Sequence, residues 1–191
     1  ELELKEAIVF NVEQECTGSH IALHLAKLLV NSSDTKKVLI LSSNFFEISQ
    51  RRLMGGSVFV GDGQALMFVS NKGGSVEIVD YEGSTDGSIS SVNKFLDFKN
   101  QDIIANTGSN LMSTVVKRNQ LSLSDIAIFI PLNTSPFAWY KYSKDLRFSV
   151  DKVFLDNIGE GGHLGDVDFI RNLKDVLVSG NVNDKDYLIS Y

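Results

Sequence analysis

The sequence is poor in cysteine, carries no excess of basic residues and contains no long hydrophobic run. Its single cysteine among 191 residues excludes an internal disulfide and a cysteine-rich zinc site. The 18 basic residues against 24 acidic ones give a net charge of −6, which speaks against a basic surface for nucleic acid. The longest apolar stretches, residues 38–41 and 126–132, are far shorter than the roughly 20 residues that a membrane span requires. We therefore expect a cytoplasmic, soluble protein that binds neither nucleic acid nor a membrane.

What the chain does contain predicts an α/β protein with a buried core. Hydrophobic residues make up 43% of the chain and charged residues 22%, which is typical of globular proteins. Short β-rich runs alternate with segments of helical periodicity. The first strand, helix and second strand, at residues 7–12, 20–30 and 38–41, fit one parallel β-α-β unit. The alternation predicts parallel sheet content, and no proline-rich or Gly/Ser-repeat linker divides the chain.

Further elements follow from the same patterns. Three more helices are expected, at residues 101–119, 139–146 and 167–178. Apolar runs at residues 58–60 and 65–69 flank Gly61-Asp62-Gly63, which is typical of a hairpin or a sharply bent strand pair. The remaining strands are expected at residues 76–79, 126–131, 152–156 and 186–191.

Cys16 lies where the first predicted strand gives way to the first helix. Amide dipoles at a helix N-terminus stabilise a thiolate, which is how cysteines of this kind are activated as nucleophiles. The residues that follow, Thr17, Gly18 and Ser19, are small and leave room for an incoming substrate. The alternative is a buried cysteine that packs as a small hydrophobic residue. Position alone favours this alternative, because single cysteines are among the most buried residues.

His20 and His24 are four residues apart on the same helix, the spacing of a helical metal-binding pair. No third ligand appears at a sensible spacing. We therefore interpret both histidines as helix residues, with His20 half-buried near Cys16, and expect no metal site.

Four short motifs occur in the order found in ketoacyl-ACP synthase III, a family of the thiolase fold. Glu15-Cys16-Thr17-Gly18 resembles the nucleophile segment of that family. Residues 60–65, Val-Gly-Asp-Gly-Gln-Ala, resemble its Gly-Asp-Gly-Ala-Gly-Ala hairpin. Residues 130–135, Ile-Pro-Leu-Asn-Thr-Ser, stand where the family has Pro-His-Gln-Ala-Asn, and Gly162-His163-Leu164-Gly165 stands where it has Gly-Asn-Thr-Ser.

The resemblance implies a thiolase-like fold, a layered α/β architecture with mixed, largely parallel sheets, incomplete at both ends. Residues 1–80 would form the end of the N-terminal half and carry the nucleophile. Residues 81–191 would form the C-terminal half without its last strand. The chain would thus be an internal portion of a synthase.

For the site, the resemblance implies that Cys16 is the nucleophile that accepts the acyl group. Leu132 occupies the position of the family's histidine and has no hydrogen to donate, whereas His163 occupies the position of its asparagine. The expected site is therefore a dyad of Cys16 and His163. Asn133 is a candidate for the missing hydrogen-bond donor, and Glu160 or Asp166 for a carboxylate that orients the His163 ring.

The implied function is acyl transfer. In the family, a His–Asn pair stabilises the charge that develops when malonyl-ACP loses CO₂, so its loss favours transfer to an oxygen or nitrogen nucleophile over condensation. The donor would be an acyl-CoA or an acyl carrier protein, with no cofactor beyond that thioester, in fatty-acid-like or natural-product biosynthesis. A homodimer or a heterodimer with a related synthase is expected. The alternative is a non-catalytic subunit that pairs with an active paralogue.

Overall fold

The computed structural model describes residues 7–32, 35–47, 52–54, 58–86 and 98–191. Its helices are α1 (Gly18–Ser32), α2 (Phe98–Arg118), α3 (Pro136–Leu146) and α4 (Val167–Val178). Its strands are β1 (Lys37–Asn44), β2 (Leu53–Met54), β3 (Val58–Phe59), β4 (Gly63–Ser70), β5 (Ile126–Ile130) and β6 (Tyr187–Ser190). Single 3-10 turns occur at Glu15–Thr17, Leu123–Asp125 and Val150–Lys152.

All four predicted helices are present, and local signals explain their ends. Helix α2 finishes with Lys117 and Arg118, whose positive charges suit the carbonyl end of a helix. Helix α3 starts with Pro136, after Ser135, whose side-chain oxygen accepts a hydrogen bond from the Phe137 amide. None of the helices in the described part of the chain has the length and apolarity that a membrane crossing requires.

The described strands form three two-stranded sheets. Strands β1 and β4 are antiparallel, with Leu39 opposite Phe68 and Leu41 opposite Leu66. Strands β2 and β3 are also antiparallel, whereas β5 and β6 run parallel. Parallel pairing is therefore less dominant among the described residues than the strand–helix alternation predicts.

The predicted strand before Cys16 is wrong. Residues 7–14 have no regular secondary structure, and the side chains of Ile8 and Val9 are 92% and 90% exposed. A strand needs a hydrogen-bonded neighbour, and none of the described strands pairs with this segment. The expected parallel β-α-β unit is consequently absent from the described residues, and β1 pairs with β4 instead.

Two other strand predictions are also wrong. The segment at 76–79 is irregular and is held by side chains, since the Lys27 ammonium donates to the Val79 carbonyl. The segment at 152–156 contains only one bridge, between Val153 and Phe129, after a 3-10 turn. Gly61-Asp62-Gly63 forms a bend rather than a hairpin, because β3 and β4 pair with different strands.

Two apolar clusters form the core. The first lies between α1, α4 and the inner face of the β1–β4 sheet, and includes Ala26, Ile40, Val69, Phe169 and Ile170. The second surrounds β5, α2 and α3. Its buried members include Met112, Phe129, Trp139 and Tyr142. Because the first cluster contains residues from both α1 and α4, it fixes the two helices that carry the polar residues described next.

Candidate active site

Cys16 lies in the 3-10 turn Glu15–Thr17, which leads directly into α1. The turn is closed by a 3.0 Å hydrogen bond from the Thr17 amide to the Gln14 carbonyl, and Glu15 adopts a left-handed conformation with φ of 44°. One residue into α1, the Ser19 hydroxyl donates to the Asp166 carbonyl at 2.7 Å. The start of α1 is thereby attached to the loop that precedes α4.

His163 lies in that loop, which is packed against the segment between β3 and β4. The His163 amide donates to the Phe59 carbonyl at 2.7 Å, and the Gly61 amide donates to the His163 carbonyl at 3.0 Å. Gly162 has φ of +78°, and a Cβ there would lie 2.6 Å from the Phe59 carbonyl oxygen. The glycine therefore permits both the backbone conformation and the close approach that fix His163.

The two predicted dyad residues lie together. The Cys16 Sγ is 3.0 Å from the His163 Nε2, although 147 positions separate them in the chain. The His163 side chain is only 2% exposed, whereas Cys16 is partly exposed. Cys16, His163 and Leu132 all line the same large open cavity.

The other ring nitrogen of His163 faces the carboxylate of Asp168, a residue of the first turn of α4. The Nδ1–Oδ2 distance is 2.5 Å, and Asp168 is completely buried. The same carboxylate accepts hydrogen bonds from the amides of Asn133 and Leu164, at 2.7 and 2.9 Å, and from the Asn133 side-chain amide at 3.2 Å. Four N–H groups thus surround one buried carboxylate, which satisfies its need for hydrogen bonds.

The two polar neighbours change the acid–base behaviour of His163. Burial by itself would lower the pKa of the imidazole, but the hydrogen bonds to Asp168 and Cys16 and their negative charges outweigh burial. The net result raises the pKa of His163 from its ordinary value of 6.5 to about 9. At neutral pH the ring therefore carries two N–H groups, one directed to Asp168 and the other to Cys16.

A second layer of amide side chains lies behind Asp168. The side chains of Asn133 and Asn172 face each other, and the Asn172 amide donates at 2.8 Å both to the Asn133 Oδ1 and to the Pro131 carbonyl. Asn172 accepts in return from Asn157 at 2.9 Å. All three asparagines are buried, and Asn157 extends the chain of hydrogen bonds to Asp175 near the surface.

The structure assigns other positions to the supporting residues proposed from the sequence. The Asn133 side chain bonds to Asp168 and Asn172 and therefore does not replace the missing histidine as a donor toward Cys16. Glu160 is exposed, with its carboxylate 3.7 Å from Arg171, and Asp166 uses its backbone carbonyl to hold Ser19. Neither carboxylate contacts the His163 ring, because Asp168 occupies that position.

Asp168 and Asn172 are the site residues that the sequence reasoning missed. They are four residues apart and therefore lie on one face of α4. Their neighbours Val167, Phe169, Ile170 and Val176 are buried apolar residues, so the helix has a buried polar pair within an otherwise apolar surface. The sequence did contain a signal for this pair: Asp168 lies five residues after His163, and Asn172 follows one helical turn later.

His20 and His24 are not brought together with other metal ligands. The His20 Nε2 is 2.8 Å from the Ser190 hydroxyl, its ring stacks on Phe169, and burial lowers its pKa to about 4. His24 stacks instead on Tyr81. Across the described ranges, no three His, Cys, Asp or Glu side chains form a group that could hold a metal ion.

Comparison with known proteins shows what this arrangement resembles. Residues 10–87 match the family model of 3-oxoacyl-[acyl-carrier-protein (ACP)] synthase III. The structure of that synthase from Aquifex aeolicus superposes with a TM-score of 0.79 at 17% identity, covering 99% of this chain and 64% of the other. The chain has the ketoacyl synthase III fold.

Two further solved structures share this fold. ChlB3, described as an acyltransferase, has a TM-score of 0.73 at 13% identity over 97% of this chain and 64% of its own. The priming β-ketosynthase of the R1128 polyketide pathway has a TM-score of 0.70 at 16% identity over 95% and 60%. No curated protein sequence matches significantly. The resemblance and the thiolase-like fold expected from the motifs are confirmed, and the chain spans less than two thirds of these relatives' length.

Proposed function

We propose that this chain carries the nucleophile and the general base of an acyltransferase that forms an acyl-Cys16 thioester. The observation that supports the proposal is the row of three side chains, with the Cys16 sulfur 3.0 Å from His163 and His163 2.5 Å from Asp168. A nucleophile, a base within hydrogen-bond reach and a group that orients the base are the parts that covalent acyl transfer requires.

In the first half-reaction, the Cys16 thiolate attacks the carbonyl carbon of a thioester donor. The bond between that carbon and the donor sulfur breaks, and the proton on His163 Nε2 passes to the departing thiol. Asp168 keeps the proton on Nδ1 and holds the ring toward Cys16. The acyl group is now on Cys16, and the imidazole is neutral.

In the second half-reaction, neutral His163 accepts the proton of an acceptor hydroxyl or amine while that group attacks the acyl carbon. The bond to the Cys16 sulfur breaks, which restores the thiolate and the imidazolium side by side. Leu132 supports an oxygen or nitrogen acceptor over a carbon one, because its side chain provides no donor for the enolate that decarboxylative condensation creates.

The donor class proposed is an acyl-CoA or an acyl carrier protein, whose phosphopantetheine thioester is the substrate, and no other cofactor is required. The match of residues 10–87 to 3-oxoacyl-[acyl-carrier-protein (ACP)] synthase III supports this choice, as does the description of ChlB3 as an acyltransferase. The partner chain would be a second copy or a related synthase.

Intact-protein mass spectrometry with a panel of acyl-CoAs and acyl-carrier thioesters tests the proposal. Since Cys16 is the only cysteine, the expected result is a mass increase of one acyl group that is absent from Cys16→Ser. The assay uses the full-length protein, alone and together with its partner chain.

Absence of an adduct with every donor, in a folded protein whose Cys16 still reacts with iodoacetamide, would overturn the proposal. That outcome favours the non-catalytic subunit, for which Leu132 in the histidine position is the supporting observation. The subunit would then form a stable complex with an active paralogue.

A further inference from the structure

The amide layer behind Asp168 has no part in the reaction as written above. Asn172 is completely buried and Asn133 is 3% exposed, and both side chains direct their polar atoms to one another and to the residues around Asp168. Burying two amides costs free energy unless every polar atom is bonded, so this arrangement calls for a physical reason.

Asn133 contacts the carboxylate twice. Its backbone amide donates to Oδ2 and its side chain donates to Oδ1 of Asp168. The Leu164 amide completes the bonds to Oδ1, so the contacts from the Asn133 and Leu164 amides fix both oxygens. Oδ2 therefore accepts one hydrogen bond from the Asn133 amide and can accept its second one from His163.

Asn172 in turn fixes Asn133. The side-chain NH2 group of Asn172 donates to the Asn133 Oδ1 and to the Pro131 carbonyl. Because the Asn133 oxygen is held in this way, the Asn133 side-chain nitrogen faces Asp168. Asn172 and Asp168 are one turn apart on α4, so a rigid helix sets the distance between the two contacts.

We infer that Asn133 and Asn172 are positioning residues, which hold the Asp168 carboxylate, and through it the His163 ring, in line with the Cys16 sulfur. The inference deepens the proposed function, because it concerns the same dyad. Without the amide pair, the carboxylate gains a second orientation and the ring loses its fixed hydrogen-bond partner.

The single cysteine makes the test selective. Iodoacetamide alkylates only Cys16 in this sequence, and its rate follows the fraction of thiolate. The rate is measured from pH 5 to 10 for the wild type, Asn133→Ala and Asn172→Ala. Each variant is expected to weaken the pairing of the His163 imidazolium with the Cys16 sulfur and to react about tenfold more slowly at pH 6, which corresponds to about 1.4 kcal/mol.

Asn157→Ala is the matched control. Asn157 is also buried and also bonds to Asn172, but it touches neither Asp168 nor the Pro131 carbonyl. Its loss is expected to lower the melting temperature while the pH profile stays that of the wild type. The charges that act on His163 are those of Cys16 and Asp168, and the neighbouring Glu15, Asp166 and His20 are unchanged in all variants.

The inference is overturned if the pH profile of Cys16 alkylation is unchanged in both Asn133→Ala and Asn172→Ala. It is also overturned if Asn157→Ala slows alkylation by the same factor. If one of the two variants does not fold, the other decides, because each removes a different contact of the same layer. Alkylation needs no acyl donor. A displaced profile together with no acyl adduct would therefore reject the proposed function while the positioning role stands.

Discussion

Cys16 and His163 are 147 positions apart in the chain and 3.0 Å apart in space, and Asp168 completes the row. At the scale of single residues, the chemistry depends on which atoms of these three side chains carry protons. The buried carboxylate fixes a proton on Nδ1, so Nε2 is the nitrogen that exchanges a proton with sulfur and substrate. Leu132 stands where ketoacyl synthase III has a histidine, and its side chain has no polar hydrogen to donate.

Asp168→Asn separates the role of the charge from that of the shape. The amide has the same size but carries no negative charge and has one acceptor oxygen in place of two, so His163 loses its stabilising charge. We expect alkylation of Cys16 by iodoacetamide at pH 6 to slow by at least about tenfold. Asp166→Asn, two residues earlier, is the control and should react like the wild type. The assignment of Asp168 is wrong if both variants behave alike.

At the scale of elements, two loops and two helices meet at the site. The segment between β3 and β4 holds the His163 backbone, and the loop after β5 holds Asp168 through Asn133. The 3-10 turn that leads into α1 carries Cys16, and α4 carries Asp168 in its first turn. The close approach between residues 59–61 and 161–163 is therefore the contact that fixes the imidazole.

Gly61→Ala tests this contact. A Cβ at Gly61 would lie 2.0 Å from the Gly161 carbonyl oxygen, so the two loops must separate. We expect a loss of about 1–3 kcal/mol in the free energy of unfolding, and slower alkylation of Cys16. The measurements are urea denaturation and iodoacetamide kinetics.

Gly159→Ala provides the comparison for that variant. Gly159 lies in the loop before α4, close in sequence to Gly161, where φ of +98° disfavours any side chain but nothing lies within 4 Å of a Cβ. It should lose stability through backbone strain and keep the alkylation rate of the wild type. Equal slowing in both variants would contradict the role of the close contact.

At the scale of the whole molecule, the half-buried His20 and the buried His163 make stability depend on pH in opposite directions. The pKa of His20 falls from 6.5 to about 4, so the unfolded state binds an extra proton between these values and stability decreases as pH falls through them. The pKa of His163 rises to about 9, so its contribution is complete below 6.5 and is lost as pH rises through 9. Maximum stability is expected near neutral pH.

His20→Gln isolates the acidic side of this profile. At about 1.4 kcal/mol per pKa unit, His20 accounts for up to about 3 kcal/mol of the stability lost on going from pH 6.5 to 4. The variant should therefore lose less stability than the wild type over this interval, as measured by urea denaturation at each pH. His24→Gln, one turn further along α1, controls for the loss of a helical histidine. Identical curves for His20→Gln and the wild type would disprove the assignment.

The outer face of the β1–β4 sheet is a second property of the whole molecule. Leu41, Leu66 and Phe68 are 67%, 61% and 73% exposed, and Leu41 lies directly opposite Leu66. The inner face of the same sheet packs against α1 and α4. A sheet that is apolar on both faces is typical of a layer that other structure covers on each side.

Features that depend on neighbouring residues were predictable from the sequence. Helical periodicity located all four helices, although α1 begins at Gly18, two residues before the predicted start at His20. The order of four short motifs indicated the fold and brought Cys16 and His163 forward as partners. These signals are local, because a helix closes its hydrogen bonds within four residues and a motif is a short stretch of chain.

Features that depend on distant parts of the chain emerged from the three-dimensional fold. The segment at residues 7–12 has the composition of a strand, but pairing requires a neighbour that composition does not supply. Asp168 replaced Glu160 and Asp166 beside His163 because the first turn of α4 points a carboxylate at the ring, a direction that linear proximity does not reveal. Asn133 donates to Asp168 and not toward Cys16, because the buried carboxylate requires hydrogen bonds and the fold brings the two residues, 35 positions apart, within reach.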